Sequence, residues 1–457
     1  MQTWKPSLET WKPPCPTLEW GVVVRVLVVG SGGREHALVR KLSDDARRRG
    51  RELALHAAPG NPGIARIAEC ADVAADDVDG LLALARRVQA DLTVVGPEVP
   101  LALGIADAFA AAGLRVFGPG AAAARLESSK SFAKDVMREA GVPTAQSEAF
   151  SSLEDALAHV RTIRPPVVIK ADGLAAGKGV TVALTLAEAE QALREAMEGR
   201  AFGTAGETVV VEQFLVGTEL SVMAFVDGSG YRLMPAARDH KAVYDGDRGA
   251  NTGGMGVFAP PRAATAELMG LVRERVFDRM QAYFRAHDTV YRGVLYAGLM
   301  IVDGAPFVIE FNCRFGDPEA QVVLELLDSD LLDAMLAVAD DRIASHGLVW
   351  SDAAAVCVVL AAEGYPEAYG RGERIEGLEA VEDFARAQEA AGAGAVRVLH
   401  AGTAEPSAGV IVTNGGRVLG VVARADDLDR ARRLAYDGVE RVRFAGRHYR
   451  TDIGARG

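Results

Sequence analysis

Apolar residues run almost without interruption from Val22 to Val29, as in a strand buried on both faces. The run breaks at Gly30-Ser31-Gly32-Gly33 and gives way to a helix from about Arg34. Shorter apolar runs at Leu53–Ala57, Leu92–Val95 and Arg115–Phe117 end in Ala58-Pro59-Gly60-Asn61, Gly96-Pro97-Glu98 and Gly118-Pro119. Strands alternating with helices predict an open parallel α/β sheet that binds ligands beyond the carboxyl ends of its strands. Each of those ends carries Gly, Pro or a polar residue.

Further along, a helix is expected from about Ser129 to Ala140, stopping at Gly141-Val142-Pro143. Pro166–Lys170 and Val180–Ala183 read as strands joined by a glycine-rich loop, and Val209–Glu212 as a third. Capping boxes at Ser151-x-x-Glu154 and Thr185-x-x-Glu188 open two helices beside them. Residues 146–215 thus form a small α+β insertion with the character of a mobile lid. Leu220–Val226 follows, then a hairpin of Val294–Val302 with Ala305–Asn312 turning at Asp303-Gly304. A second hairpin is expected between Val410–Thr413 and Arg417–Val422, across Asn414-Gly415-Gly416. The expected division is an extension at 1–24, an N-terminal α/β domain at 25–125, a central domain at 126–348 and a C-terminal α+β domain at 349–457.

Composition narrows the class. A chain of 457 residues with 49% hydrophobic and 25% charged residues is an ordinary globular protein of about three domains. Its net charge of −12 excludes a nucleic-acid partner, which needs a basic surface, but not small phosphorylated ligands held by local cations. The four cysteines are far apart with no CxxC pair, as in a reduced cytoplasmic protein. No apolar run is long enough to span a membrane. Residues 1–24 hold three Trp and four Pro without an apolar core, which fits a disordered extension or a misplaced start rather than a secretory signal. No helix shows a long exposed apolar stripe, so a monomer is expected.

The chemistry concentrates in Val308-Ile309-Glu310-Phe311-Asn312-Cys313-Arg314. Strand alternation projects Glu310 and Asn312 together while Ile309, Phe311 and Cys313 face the other way. Two oxygen ligands suit a hard cation that keeps substrate phosphates in its remaining positions, with Arg314 placed to hold those phosphates. The turn Gly30-Ser31-Gly32-Gly33-Arg34-Glu35 lacks the third glycine of a dinucleotide fingerprint, and no acidic residue ends the second strand. It remains either an anion seat of backbone N–H groups or a structural turn. Lys170-Ala171-Asp172-Gly173 and Gly177-Lys178-Gly179 miss the Walker A spacing and instead suit a flap closing over a triphosphate. The end of Val209–Leu215 suits an adenine edge, with Glu219 set for ribose hydroxyls. The glycine-rich stretch Asn251-Thr252-Gly253-Gly254-Met255-Gly256, expected to bury no core, and Asp239-His240-Lys241 suit close approach to a ligand. Histidines at metal-binding spacing and a serine-hydrolase elbow are both missing.

Together these residues resemble the ATP-grasp ligases, and within them the branch that makes glycinamide ribonucleotide. The motifs run in order from about Val26 to Gly454: GSGGREHAL (30–38), APGNPG (58–63), GPEVPL (96–101), FGP (117–119), LESSKSF (126–132), IKADGLAAGKGV (169–180), DHK (239–241), NTGGMG (251–256), YAGLM (296–300), IEFNCRFGDPE (309–319), HAGT (400–403), TNGGRVL (413–419) and DIG (452–454). The resemblance implies an ATP-grasp fold with a lid, and ATP, glycine and 5-phosphoribosylamine as substrates in purine biosynthesis. It implies ATP contacts at Lys130, Lys170, Gly173, Gly177, Lys178, Gly179, Glu212, Leu215 and Glu219. Glu310 and Asn312 match ligands of Mg²⁺ or Mn²⁺. Arg314, Asp239, Lys241 and the loop of Asn251, Gly253 and Gly254 fall where the reacting groups meet. Gly32, Gly33, Arg34, Glu35, Gly60, Asn61, Pro97 and Glu98 resemble the phosphoribosylamine side of the cleft. Ala250 stands where relatives commonly carry proline, residues 1–24 have no counterpart, and no further purine enzyme is expected after DIG. Another ATP-grasp carboxylate–amine ligase or carboxylase of purine metabolism, or a nucleotide-binding protein without turnover, are the alternative readings.

Overall fold

The computed structural model describes residues 23–174, 179–198 and 206–455. Most of the expected N-terminal extension, and Gly177 and Lys178 of the flap, lie outside the described residues. Five strands, β1 (Val24–Gly30), β2 (Leu53–Pro59), β3 (Glu69–Cys70), β4 (Leu92–Val95) and β5 (Val116–Phe117), form a parallel sheet ordered β3-β2-β1-β4-β5. β4 is buried throughout and β1 nearly so, as their continuous apolar runs require. Strand order reverses between β1 and β4, the position at which open α/β sheets accept ligands, and the turn after β1 stands there.

The insertion expected as a lid is an antiparallel sheet ordered β6-β9-β7-β8, from β6 (Ser147–Phe150), β7 (Val167–Ala171), β8 (Val180–Ala183) and β9 (Val209–Gln213). Helices Leu153–Val160 and Leu186–Met197 cover it, and Val160, Ile169, Leu193 and Val211 belong to a core separate from the others. Thr185 caps its helix as expected, accepting from Glu188 N at 3.2 Å. The other cap is Ser152, not Ser151: Ser152 has the extended backbone just ahead of the helix and accepts from Asp155 N at 3.3 Å.

The body is a second antiparallel sheet. Its order is β11-β10-β16-β17, and the chain runs β10 (Thr218–Val226), β11 (Tyr231–Leu233), β12 (Arg238–Asp239), β13 (Ala242–Tyr244), β14 (Arg248–Asn251), β15 (Gly256–Ala259), β16 (Gly293–Val302) and β17 (Ala305–Asn312). Asp303 (φ +48°) and Gly304 (φ +78°) supply the two left-handed residues of the β16–β17 turn. A bulge interrupts the pair: Gly298 faces Glu310 while Leu299 faces Val308, leaving Ile309 over. Simple alternation therefore fails here. Val308 and Phe311 share the apolar core, whereas Ile309 is only half-buried.

The last sheet, β12-β15-β18-β22-β19, joins β18 (Ala354–Ala361), β19 (Ala395–His400) and β22 (Arg417–Ala425) to two strands from the middle of the chain. Between β19 and β22 lie β20 (Thr403–Ser407) and β21 (Val410–Thr413). The expected β21–β22 hairpin does not form. Both edges of β22 are taken, by β18 and β19, so β21 pairs with β20 instead. Helix Leu331–Ala339, buried everywhere but Asp333, shares one core with Val26 and Val28 of β1, Met223 and Phe225 of β10 and Val359 of β18. A helix apolar on all sides belongs in an interior, and this one unites three sheets.

Candidate active site

The turn after β1 is filled by its own glutamate. Glu35 Oε2 accepts from Gly32 N at 2.6 Å, and Glu35 Oε1 lies 2.6 Å from Arg34 Nε, with both side chains buried. The anion seat expected from the sequence is thus occupied at Gly32 by a carboxylate of the chain. Two neighbouring strand ends make room for it. A Cβ on Gly96 would lie 2.1 Å from Glu35 Oε1, and one on Gly30 2.6 Å from Glu35 Cγ. Gly33 has Gln321 Nε2 beside it, 3.0 Å from where its Cβ would stand, and Arg34 Nη1 donates to Phe315 O at 3.1 Å. Asn61 is fully engaged. It donates to Ser31 O (2.7 Å) and His400 O (2.9 Å) and accepts from Gly63 N and Ile64 N. Gly60 turns at φ +73° against Cys70, and Pro97 caps the helix that begins at Glu98.

At the end of β17 the chain meets that turn. Arg314 Nη2 lies 2.6 Å from Glu127 Oε1, and Arg314 Nε lies 3.4 Å from Glu98 Oε2. Burial opposes the Arg314 charge, but these carboxylates outweigh it and raise the pKa further. Burial would raise Glu98 too, yet Arg314 and Arg34 bring its pKa below the usual range. Glu127 runs the other way: burial dominates and its pKa is raised. Cys313 N donates to Glu127 Oε2 at 2.7 Å, and the Asn312 amide, turned with its nitrogen inward, donates to Glu127 Oε1 at 3.1 Å. Glu127, unremarked in the sequence, is therefore what holds Asn312 and Arg314 in place.

A row of lysines links lid and body. Lys170 on β7 and Lys134 on helix Lys130–Ala140 reach the two oxygens of buried Glu212, at 3.0 and 3.1 Å. Lys170 also donates to Ile309 O at 3.0 Å, the residue that the bulge leaves over. Burial lowers Lys134 to about 8. Lys130 donates to Gly173 O at 2.8 Å, and burial, then the nearby Lys170 charge, lowers its pKa against the pull of Glu310. Asp172 caps the same helix, accepting from Ser131 N at 3.1 Å. Gly179 O accepts from Ala171 N at 2.8 Å and extends the β7–β8 pairing. Leu215 is half-buried where the chain passes from β9 to β10.

Lys241 faces Glu219 and Glu310, each at 3.8 Å. Burial opposes its charge, but Glu310 and Glu219 more than compensate and raise the pKa well above the usual value. Glu310 is the mirror case: Lys241, Lys170 and Lys130 outweigh burial and lower its pKa. Asp239 stands apart. Its Oδ1 is buried without a hydrogen-bond partner, and burial, then the Glu319 charge, push its pKa well above the carboxylate range. Glu319 Oε1 accepts from Ser221 and Tyr296 hydroxyls, both at 3.0 Å. The 251–256 loop wraps this corner. Gly254 (φ +109°) leaves no room for a Cβ, which would lie 2.8 Å from Asp239 Oδ1, while Asn251 stays exposed on β14. Contrary to expectation the loop does bury core, because Met255 is fully enclosed with Val243 and Ala361. Arg417, at the start of β22, clamps the loop. It donates to Gly253 O and to Asp317 O (2.8 Å), with Asp317 Oδ2 3.1 Å away.

The structure thus gathers Lys241, Lys170, Lys130 and Arg314 near enough to Glu310 for their charges to act on it, with Glu98 paired to Arg314, Asn312 sharing Glu127 with Arg314, Glu212 paired to Lys170 and Glu219 facing Lys241. Gly60 and Asn61 lie on the β2 side, tied to His400. Sequence reasoning missed Glu127, Glu319, Tyr296 and Arg417, although each sits inside a quoted motif (126–132, 309–319, 296–300 and 413–419). It also singled out His240, which is buried against Phe258.

Residues 24–127, 128–320 and 355–456 match, in turn, the N, ATP-grasp (A) and C domains of phosphoribosylglycinamide synthetase. The chain is similar to the phosphoribosylamine–glycine ligase of Xanthomonas axonopodis pv. citri, at 48% identity over 95% of this chain and 98% of the relative. It is 43% identical to that of Caldanaerobacter subterraneus subsp. tengcongensis over 94% of this chain and 100% of the relative. Among solved structures, phosphoribosylamine–glycine ligase from Thermotoga maritima matches with a TM-score of 0.80 at 34% identity, covering 94% of this chain and 100% of that one. A biotin carboxylase domain from Hydrogenobacter thermophilus shares the fold alone, with a TM-score of 0.68 at 16% identity over 93% of this chain and 91% of that one. Three domains matched in order, and relatives matched nearly end to end, place this chain in the phosphoribosylglycinamide synthetase family.

Proposed function

We propose that this chain ligates glycine to 5-phosphoribosylamine at the expense of ATP, giving glycinamide ribonucleotide, ADP and phosphate in purine biosynthesis. The observation that carries this reading is the nearly full-length likeness to ligases of that name. The separate core of the lid and its polar links to the body, Lys134 to Glu212, Lys170 to Ile309 O and Lys130 to Gly173 O, suit a nucleotide held between the two.

In this reading Lys130, Lys170, Gly173, Gly177, Lys178 and Gly179 hold the ATP phosphates. The chain around Glu212 and Leu215 meets the adenine, and Glu219 meets the ribose. Glu310 and Asn312 fit a divalent ion shared with the nucleotide. Glu310 accepts no hydrogen bond among the described residues and keeps 36% of its side chain exposed, and such ions need only one or two protein ligands when phosphates supply the rest. Mg²⁺ or Mn²⁺ held there supplies neutralisation of phosphate charge.

A glycine carboxylate oxygen attacks the γ-phosphorus while the bond to the β,γ-bridging oxygen breaks, giving glycyl phosphate and ADP. The phosphoribosylamine nitrogen then attacks the glycyl carbonyl carbon, the C–O bond to phosphate breaks, and the nitrogen gives up a proton. Lys130, Lys170 and Lys241 face the charge that accumulates in the first step, and Arg314 with Asp239 adjoins the second. Positioning of this kind contributes about 7–11 kcal/mol to such a reaction. Gly32, Gly33, Arg34, Glu35, Gly60, Asn61, Pro97 and Glu98 shape the wall that receives phosphoribosylamine. Asn251, Gly253 and Gly254 close over the reacting groups. The division into domains at 25–125, 126–348 and 349–457 belongs to the same proposal, as do a cytoplasmic location and a monomeric state. No helix among the described residues is long and apolar enough to cross a membrane.

The test is ADP release with Mg²⁺-ATP, glycine and fresh phosphoribosylamine, each omitted in turn. ADP formed only with all three, together with glycinamide ribonucleotide, is the expected result. ADP formed without phosphoribosylamine would send the search to another acceptor.

A further inference from the structure

Away from the lysine row, a cavity of about 320 Å³ lies between helix Gly33–Arg49, the segment after β2, and the C-terminal β19 with helix Leu378–Ala390. Its floor is His36, Gly63 and His400, its wall carries Arg40 and Arg397, and Arg66 and Arg386 stand at the rim. Leu378, Val381 and Ala385, on the helix that also carries Arg386, add apolar lining.

Burial opposes the Arg397 charge, but Glu325, Asp44 and Glu389 outweigh it and raise the pKa, so Arg397 is well matched and Arg40 is not. Arg40 Nε is buried without a hydrogen-bond partner, and its nearest carboxylate, Asp44 Oδ2, is 3.6 Å away. That same oxygen lies 3.6 Å from Arg397 Nη2, so one carboxylate serves two guanidiniums, with Glu325 Oε1 3.3 Å from Arg397 Nε. Burial and the Arg397 charge accordingly lower the Arg40 pKa. At the rim, Arg66 pairs with Glu382 at 3.1 Å, both side chains half exposed, Arg386 pairs with Asp383, and Glu389 is exposed. Exposed pairs of this kind contribute little and are easily exchanged for a ligand.

The floor adds a histidine of fixed tautomer. His36 Nδ1 accepts from His400 N at 2.8 Å, which assigns the ring proton to Nε2 while the imidazole is neutral. Both rings are 3% exposed, and Gly63 admits them: a Cβ there would lie 2.3 Å from His36 Cε1 and 2.7 Å from His400 Cδ2. Guanidiniums bind phosphate oxygens in pairs, and apolar lining suits an uncharged ring.

We propose that this cavity is a second ligand site, for a phosphate monoester of nucleoside-monophosphate size, with the phosphate on Arg40, Arg66 and Arg397 and the ring against Leu378, Val381 and Ala385. The floor adjoins the wall assigned to phosphoribosylamine, because Asn61 donates to His400 O and accepts from Gly63 N. The inference therefore rests on that reading for its boundary, and displacement of the bound monophosphate by glycinamide ribonucleotide would overturn a second site.

The test is calorimetric titration of the full chain with adenosine 5′-monophosphate, the ATP site first saturated with a non-hydrolysable ATP analogue. Binding is expected for the monophosphate and not for adenosine. In Arg40→Gln/Arg66→Gln it should weaken at least tenfold, with an unchanged circular dichroism spectrum and unchanged analogue affinity. An absence of binding to the wild-type chain, equal binding of adenosine, or a double variant that binds as well as wild type would each overturn the assignment. Should the double variant misfold, Arg66→Gln alone, at a half-exposed side chain, must weaken the binding at least threefold in its place.

Discussion

Lys241 Nζ lies 3.8 Å from Glu310 Oε1, near enough to neutralise the carboxylate yet too far to hydrogen-bond it. Glu310 is left free to take another cation on its open side. Glu310→Gln keeps the shape and removes the charge, and should lower kcat by about 10²–10³ with the fold intact. Steady-state kinetics at saturating ATP provide the check, and a loss under tenfold would remove Glu310 from the reaction centre.

Lys178→Ala tests the flap. The apparent KM for ATP should rise while the KM for glycine stays within about twofold, because a point charge on the triphosphate is lost and little else. Unchanged ATP kinetics would place Lys178 outside the nucleotide site.

Gly96→Ala should disturb the first turn without touching the lysine row. The added methyl would sit 2.1 Å from Glu35 Oε1, and Glu35 is held by Gly32 and Arg34, so it cannot move freely. Overpacking of this sort costs about 1–3 kcal/mol. Denaturant titration should show that loss, and the KM for phosphoribosylamine should rise more than that for ATP.

The His36–His400 pair should make stability fall with acidification. Burial, joined by nearby positive charge, lowers the pKa of both, His400 to about 4, against about 6.5 in an unfolded chain. A lowered histidine pKa means that the unfolded chain takes up protons first. The contribution is therefore complete above about pH 6.5 and is lost as pH falls toward 4. Between pH 7 and 5 His400 accounts for about 2 kcal/mol, and His36 acts in the same direction. Unfolding free energies measured across that range should fall, and His36→Asn, which keeps an acceptor for His400 N, should flatten the slope. An identical slope in the variant would exonerate the pair.

Arg417→Lys should separate charge from geometry. Arg417 spans Gly253 O and Asp317 with a planar fork that an ammonium cannot reproduce. The variant should fold, with kcat reduced about tenfold or more, while Arg417→Ala, which leaves half-buried Asp317 with the Gln321 amide alone, should lose about 1–3 kcal/mol of stability. Wild-type kcat in the lysine variant would show that charge alone suffices.

Much of this was legible because burial writes itself into periodicity. β1 and β4 read correctly from their continuous apolar runs, and Asp303-Gly304 announced its turn. The parts that failed depend on pairing decided far away in sequence. β21 looks like one arm of a hairpin, but nothing local reveals that β18 and β19 already occupy both edges of β22. The bulge at Ile309 is likewise invisible without the opposing β16. In the site, Glu310 and Arg314 stood out by chemistry. Glu127 and Glu319 did not, because a buried carboxylate that positions another residue has the same sequence signature as a solvated one. The Gly32–Glu35 turn invited an anion for a sound reason and received one from its own side chain.

The sheet that ends the chain borrows β12 and β15 from residues 238–259. A fragment beginning near residue 349 would present the β18 edge bare, with Gly256 to Ala259 no longer laid along it. Such a fragment invites self-association rather than independent folding. A polypeptide severed between Ser345 and Val349 should instead remain a non-covalent pair, its halves recoverable together and able to complement one another when produced from separate messages.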